Sequence, residues 1–476
     1  MPEKLTLSKD RKIADIAPDW LKSFFYSDAF FIVMLVFSFA SWASGYIAII
    51  FVANAVFGTI MLLVLDDIMP VFSLLFFGMC AVSSADPAVI NGYLPYLAIV
   101  SPLVIALIFH IFYYGNNFHL GKMFVPQLLI SFAMMIGGCA TISLTRYMGA
   151  LGSVLLLGVA ILVFYFLADN YSHPNKYSKT STFMAKMLMY VGLLIVIEVI
   201  TFYIRAGRPP TEWGFMNVHL GWGISNNVAT MLLLTAPMCF YLGLKSKMMG
   251  VYALIGALQY IGIFLSFSRG GILFAAVTGV VVVIFTLVKA EHKKATLIGF
   301  AIAIAVILIF YFAFFDKANA AIVALIKQGA GLSGREDLYN EAWTMFKAHP
   351  IFGVGMGFDG NYYIMDVVPF YWFHSTFFQV MGCTGLVGLI AFGYFYFKRY
   401  AIVFKNMKRN KFSIFTFFSF LGFEMYSMMD TGTFIPIPFM LLVMLMTVVV
   451  EHENKEPQSD KGNVFMTEKY FREVVI

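Results

Sequence analysis

Charge is what this sequence has least of. Asp, Glu, Lys and Arg make up 12% of its 476 residues, against roughly a quarter in soluble chains. So few ions cannot cover a water-exposed surface, which excludes a soluble globular fold. The net charge of +6 is small for the length and gives no ground for a nucleic-acid partner. Cysteine is scarce too. Cys80, Cys139, Cys239 and Cys383 each fall in an apolar run without paired spacing, which argues against a disulfide framework or a cysteine-built zinc site. They read as core fillers. No repeat period is present. The alternating glycines of Gly353-Val354-Gly355-Met356-Gly357 lack the following Lys-Ser and the strand-to-helix setting of a phosphate loop. They read as a turn that folds a loop back on the membrane.

Apolar surface is what the chain has in abundance. Hydrophobic residues are 61% of it, with 52 Phe and 29 Met, and the mean hydropathy is +0.83. Windows of roughly 17–25 apolar residues cross a bilayer. Candidate spans fall at 29–46, 47–65, 70–82, 94–114, 123–144, 150–167, 186–204, 227–244, 248–265, 271–287, 296–315, 375–396, 412–429 and 434–450. The expected fold class is an all-α integral membrane protein. It has about 12–14 transmembrane helices and one large external loop, 316–373, between the eleventh and twelfth. Residues 1–28 form a cytoplasmic or interfacial segment. There Lys4, Lys9, Arg11 and Lys12 lead into Ile13, Ile16, Trp20, Phe24 and Phe25, an amphipathic helix or a disordered basic lead and not a cleavable signal. A transmembrane bundle over 29–204, a second region over 205–450 holding the loop, and a cytoplasmic tail over 451–476 complete the expected division.

Orientation follows from the basic residues, which favour cytoplasmic loops. With the N-terminus inside, one side collects Lys122, Lys176, Lys179, Lys245, Lys247, Lys289, Lys293 and Lys294. It also takes Lys398, Arg399, Lys405, Lys408, Arg409 and Lys411. The Asp66-Asp67 turn is the exception. The external side collects Arg146, then Arg205 and Arg208 with Pro209-Pro210, then Arg269 and the large loop. Arginine there runs against the rule, so an external anion is the expected partner.

Ser266-Phe267-Ser268-Arg269-Gly270-Gly271 is the stretch around which the chain is organised. A guanidinium keeps its charge in a protein and near a bilayer must reach water or an anion. Ser266 and Ser268 put hydroxyls beside it, and the glycines keep the backbone approachable. Ser333-Gly334-Arg335-Glu336 reads as a capping box. Leu338, Ala342, Met345 and Phe346 form one face of the helix, and Pro350 lies past its end after His349. Arg335 then sits in a first turn that favours an anion, and its planar fork of donors suits phosphate. The competing reading is a surface ion pair with Asp337 or Asp359.

His374 follows Tyr371-Trp372-Phe373, aromatics suited to the membrane interface. Histidine titrates near neutral pH, and an imidazole beside a bound diphosphate could take a proton from an incoming hydroxyl. The plainer reading is an interfacial anchor. Asn226 is expected to cap the eighth span, with His219, Trp222 and Asn227 nearby as sugar-hydroxyl ligands or further caps. Glu198 and Glu424 lie within spans, where a carboxylate is functional or paired. Glu424 and Asp430 could approach the external face, although partnering an arginine is the plainer role. His110 is expected only to hydrogen-bond.

Four motifs in order carry a resemblance. They are Ser266–Gly271, the Ser333-Gly334-Arg335 helix start, the run His349-Pro350-Ile351-Phe352-Gly353-Val354-Gly355, and His374 ahead of Gly385-Leu386-Val387-Gly388-Leu389. With the helix from Asn227 to Pro237 and the single large loop, they resemble the O-antigen ligase and O-antigen polymerase superfamily over about 221–397. Ser375 departs from the pattern, since many members have asparagine there.

The resemblance implies a membrane glycosyltransferase of the polyprenyl-donor type, with 205–450 as its catalytic region. Such enzymes move a glycan from a lipid diphosphate to an acceptor hydroxyl outside the cytoplasmic membrane, with no metal or other cofactor. The implied partners are an undecaprenyl-diphosphate-linked oligosaccharide, an acceptor glycan and membrane lipid. Carried over residue by residue, Arg269 and Arg335 hold the diphosphate and His374 is the base. Ser268, Ser266, Arg205, Arg208, Asn227 and Glu424 are secondary candidates. No Asp-x-Asp motif stands in the external loops to hold a metal, which leaves the arginines to supply the positive charge.

A polysaccharide polymerase is the leading reading, and a ligase to lipid A-core is the alternative within the class. A transporter or flippase for the same lipid-linked sugars is the rival from another class. It would be expected to carry internal repeats and a midplane site on broken helices. A structural assembly subunit leaves the external arginines unexplained.

Overall fold

The computed structural model describes residues 12–86, 89, 92–115, 118–139, 151–209, 217–313, 319, 323, 335–356, 362–364, 368–370, 372–430, 432–434 and 437–453. Arg146, Pro210, Ser333, Gly334, Gly357, Asp359, Tyr371 and most of the large loop lie outside them.

Two short helices, α1 (Ile13–Ile16) and α2 (Asp19–Phe25), lead into α3 (Asp28–Ser44), α4 (Ala48–Val64), α5 (Met69–Cys80), α6 (Leu97–Tyr114) and α7 (Phe124–Ile136). Then come α8 (Leu151–Tyr171), α9 (Thr180–Arg205), α10 (Ser225–Gly243), α11 (Met249–Leu265), α12 (Arg269–Lys289) and α13 (Lys293–Ala313). The large loop carries α14 (Glu336–Ala348) and an antiparallel hairpin, β1 (Tyr362–Ile364) with β2 (Val368–Phe370). Helices α15 (Thr376–Met407), α16 (Lys411–Ser427) and α17 (Ile437–His452) close the chain.

Helices α8, α9, α12 and α15 are each long and apolar enough to cross a bilayer. The pair α2–α3, bent by 57°, passes the same test together, and α4, α5, α6, α7, α11 and α17 contain shorter apolar helices. The chain is thus an all-α, multi-pass membrane protein. Helix α10 is deeply enclosed, packed by α9, α11, α12 and α16, with every residue from Val228 to Phe240 buried. That explains its sequence, apolar all round rather than on one stripe.

The bundle has two distinct ends. At one, the chain is tied by Asp67, Asp169, Glu291 and Glu453 with their lysine, histidine and amide partners. Asp67 accepts from Tyr26 Oη at 2.7 Å, Met69 N at 2.9 Å, His173 N at 3.2 Å and Asn175 Nδ2 at 3.2 Å. Burial pushes its carboxyl up to about 6, partly offset by these donors. Of the acidic turn that broke the basic pattern, Asp66 is exposed while Asp67 is a buried joint whose hydrogen-bond donors stand in for a cation. The other end carries the starts of α10, α12 and α15 and the finish of α16.

Two sequence expectations change here. Arg399 was grouped with the loop cations, but α15 runs on to Met407 and Arg399 is fully buried within it. Its guanidinium is bonded to Glu424 of α16 and is ringed by Phe395, Tyr396, Tyr400 and Phe420. A buried arginine is held where aromatic faces and a carboxylate replace its water. Cys139 is exposed, whereas the other three cysteines are buried as expected.

Helix α15 is broken at Gly385, whose φ of 61° and ψ of −153° form a combination essentially confined to glycine. A break inside a membrane frees backbone groups that must be satisfied. The run from Pro350 to Gly355 does this. Val354 N donates to Gly382 O at 3.0 Å and Gly355 N to Cys383 O at 2.8 Å. In return, Leu386 N donates to Pro350 O at 2.8 Å and Val387 N to Ile351 O at 3.2 Å. The glycine-rich run is thus a backbone splint for the broken helix, and it holds the first part of α15 in place.

Candidate active site

The finish of α16 is where the motifs converge. Tyr426, Met429 and Asp430 sit at helical i, i+3 and i+4 positions, and each is contacted by a different motif. Ser268 Oγ lies 2.6 Å from the Tyr426 hydroxyl and donates to Asn226 Oδ1 at 3.0 Å. The Arg335 guanidinium donates to the Met429 carbonyl. His374 Nδ1 lies 3.4 Å from Asp430 Oδ1. That last contact is within ion-pair reach but lacks hydrogen-bond alignment, so Nδ1 has no hydrogen-bond partner.

Local chemistry explains how each group arrives. Ser268 caps α12 by accepting from Gly271 N at 3.4 Å, leaving Arg269 as the exposed first residue of the helix. A β-carbon at Gly270 would stand 2.6 Å from the Tyr426 ring, and one at Gly271 2.5 Å from Ala229. The two glycines therefore let α12 begin hard against α16 and α10. Arg335 holds the N-cap position of α14, two positions earlier than the second helical position that a cap at Ser333 would give it. Tyr339, one turn on, donates from its hydroxyl to the His374 carbonyl at 3.2 Å and stacks on Phe378 at 4.2 Å between centroids. Burial raises the Tyr339 phenol above its ordinary range, while the Arg335 guanidinium pulls the other way.

His374 sits just before the N-cap of α15, where Ser375 accepts from Phe378 N at 3.5 Å. Its ring stacks on Trp372 at 4.9 Å. Its φ is +51°, and Phe267, two residues before Arg269, has φ +61°. Among the described residues these are the two non-glycine positions with positive φ. Such conformations cost about 1–3 kcal/mol and gather at functional sites. Here they flank the same cluster from two sides.

The secondary candidates divide. Ser268 is within the cluster, but its hydroxyl is committed to Asn226, Tyr426 and Gly271. Ser266 is fully buried and donates to Ile263 O at 2.7 Å, serving the turn. Asn227 accepts from Ile224 N at 2.9 Å, so Asn227 is the capping residue and Asn226 the one facing Ser268, the reverse of the expectation. Arg205 is tied to α3 through the Ala43 carbonyl and the Trp42 ring, 5.1 Å from its centroid. Arg208 is exposed at the end of the same α9 turn. Glu424 is Arg399's partner. Glu198 accepts from Trp222 Nε1 at 2.8 Å in a fully buried setting. His110 is buried with Nδ1 2.9 Å from the Leu62 carbonyl.

Sequence reasoning missed Tyr426 and Tyr339 and gave Asp430 only a minor part. The signal available for them was spacing. Tyr426 and Asp430 lie four apart at a span's finish, and Tyr339 lies four after Arg335.

The fold and this cluster define a class: a multi-pass membrane protein with arginine, histidine and hydroxyl groups gathered at one end of its bundle. Residues 251–393 match the family model described as O-Antigen ligase, so that stretch of the chain is similar to the O-antigen ligase and polymerase superfamily. The match supports a function of the ligase or polymerase type, which implies a lipid-linked glycan and an acceptor as partners in general terms. The matched stretch runs from α11 into α15 and takes in Arg269, Arg335 and His374; Tyr426 and Asp430 lie beyond it. No curated protein and no solved structure matches the chain.

Proposed function

We propose that the chain is a polymerase of a cell-surface polysaccharide, working without metal at the external face of the cytoplasmic membrane. It transfers an undecaprenyl-diphosphate-linked glycan to the hydroxyl of an acceptor sugar. The observation that carries this reading is the convergence of three motifs on Tyr426, Met429 and Asp430. It brings two guanidinium-bearing segments and one imidazole to a single helix finish.

In this reading Arg269 and Arg335 bind the diphosphate, since forked donors match its oxygens and neutralise charge as the leaving group departs. His374 takes the acceptor's proton as the acceptor oxygen bonds to the anomeric carbon and the bond to the diphosphate oxygen breaks. Asp430 stabilises the imidazolium that results. Tyr339 and Trp372 hold the histidine from its backbone and its ring face. Placing this end outside is supported by the lysine-rich character of the opposite end, as the positive-inside rule requires.

The break in α15 is similar to a transporter's discontinuous helix, but its freed backbone groups are taken by Pro350–Gly355. They are not left to line a substrate path, so the break favours the enzyme reading. The test is turnover by purified protein given the lipid-linked donor and excess chelator. Lengthened glycan with no second protein supports the proposal. Donor movement across a vesicle without lengthening supports the transporter, and strict need for a divalent ion in protein that stays folded in chelator contradicts the metal-free mechanism.

A further inference from the structure

At the end of the bundle opposite this cluster, three side chains from distant parts of the chain meet. His452 Nε2, at the last residue of α17, lies 2.8 Å from Asp169 Oδ1. His119 Nε2, from the turn before α7, lies 3.1 Å from Asp169 Oδ2. One ligand atom from each of the three lies within 4.8 Å of the others. Asp169 is 1% exposed, and its Oδ2 has no hydrogen bond despite the nearby ring. A buried carboxylate oxygen left so is costly, and it is aimed at the face where both imidazoles converge.

The surroundings are built to hold this arrangement. Asn170 pins the His119 backbone in both directions, accepting from its N at 2.9 Å and donating to its O at 3.0 Å. A β-carbon at Gly121 would stand 2.3 Å from Asp169 Oδ2, so glycine is what lets the turn pass over the carboxylate. Lys122 pairs with Glu451 at 3.0 Å, tying the same turn to α17 a second time. His119 is half exposed while Asp169 and His452 are nearly buried, which gives an ion a way in and a polar floor.

We propose that His119, Asp169 and His452 bind one divalent transition-metal ion of the zinc type. Two imidazole nitrogens and one carboxylate oxygen are the donor set such ions take, with a water completing the shell. A tetrahedral ion with bonds near 2 Å requires donor atoms about 3 Å apart, and each imidazole nitrogen stands at that distance from a carboxylate oxygen, His452 Nε2 from Oδ1 and His119 Nε2 from Oδ2. The ion joins the turn before α7 to the finishes of α8 and α17, as a clip remote from the reaction. The site is independent of the function proposed above.

The experiment uses the full chain purified in detergent without a polyhistidine tag, stripped with chelator and dialysed against zinc. Metal content is counted, and cobalt replaces zinc for visible absorption. The expected result is one ion per chain, a cobalt spectrum of a low-coordinate nitrogen–oxygen site, and a zinc-dependent rise in melting temperature. His119→Ala, at the exposed ligand where misfolding is least at issue, should weaken binding by about 10- to 100-fold or more, and Asn170→Ala by about tenfold. Asp169→Asn should abolish the cobalt spectrum. Sub-stoichiometric zinc in the wild type overturns the proposal and leaves a hydrogen-bonded His–Asp–His triad. Equal binding in His119→Ala and wild type, or loss of binding in His173→Ala instead, overturns the assignment as well.

Discussion

Tyr426 and Ser268 are joined by a 2.6 Å hydroxyl–hydroxyl contact across 158 residues of sequence. Ser268 has one proton, and it is donated to Asn226, so Tyr426 is the donor in this pair. The bond fixes the start of α12, and therefore Arg269, to the helix whose next turn receives Arg335 and faces His374. Removing or moving any of these groups has effects that can be foreseen.

Arginine-to-lysine changes separate charge from geometry. Lysine keeps the charge but replaces a planar fork with a point donor. Arg269→Lys and Arg335→Lys should each fold normally and lose about tenfold or more in transfer rate, the loss expected when one strong charge-assisted hydrogen bond to the leaving group is removed. Wild-type rates in both would reduce these arginines to surface features.

Gly385→Ala tests the splinted break. Its β-carbon would stand 2.6 Å from the Ile351 carbonyl oxygen, whereas one at Gly393, on the same helix, would meet nothing within 4 Å. Gly385→Ala should cost roughly 1–3 kcal/mol or more from backbone strain. Gly393→Ala should be neutral or slightly stabilising. Melting temperatures in detergent compare the two directly.

Much of the fold was legible because apolar windows match the length a bilayer requires. Apolar helices stand in each of the fourteen windows read from hydropathy. Arg399 was misread because a window average sees a cation and ends the span, while the structure surrounds it with aromatic rings and Glu424. The arginine and histidine motifs were visible as costly residues at apolar boundaries. Their common platform was not, because Tyr426, Met429 and Asp430 are unremarkable in sequence and matter only through contacts between segments far apart. The reversal of Asn226 and Asn227 has a similar cause. Either amide could cap α10, and only the position of Ser268 decides between them.

Sidedness is open to labelling. With native cysteines replaced by serine, single cysteines at Lys347 in α14 and Lys408 after α15 should react from opposite sides of the membrane. An impermeant maleimide on intact cells should label Lys347→Cys, and should label Lys408→Cys only after permeabilisation. Labelling of both from outside contradicts the orientation.

Asp67 gives a pH dependence of stability with a defined sign. Its folded carboxyl titrates near about 6, above the unfolded value of about 3.9, so the folded state holds the proton more tightly. Stability from this group is complete below about pH 4 and is lost as pH rises through about 6. The loss is on the order of 1–3 kcal/mol at neutral pH for a fully buried group. Wild-type melting temperature should therefore fall between about pH 4 and 7 relative to Asp67→Asn, which has no such proton to lose. Parallel curves for the two proteins would show that Asp67 titrates normally.

The most direct test of the site is His374→Ala in purified protein, with donor binding and glycan transfer measured on the same sample. A lipid diphosphate leaves readily, so one base is enough, and the reaction should be limited by removal of the acceptor's proton. The variant should bind the lipid-linked donor as tightly as wild type, because Arg269 and Arg335 are untouched. Its transfer rate should fall by roughly 10²–10⁴-fold, the range for loss of a general base. Normal transfer by His374→Ala, with the rate abolished instead by Asp430→Asn or Glu424→Gln, would contradict the assignment of the base.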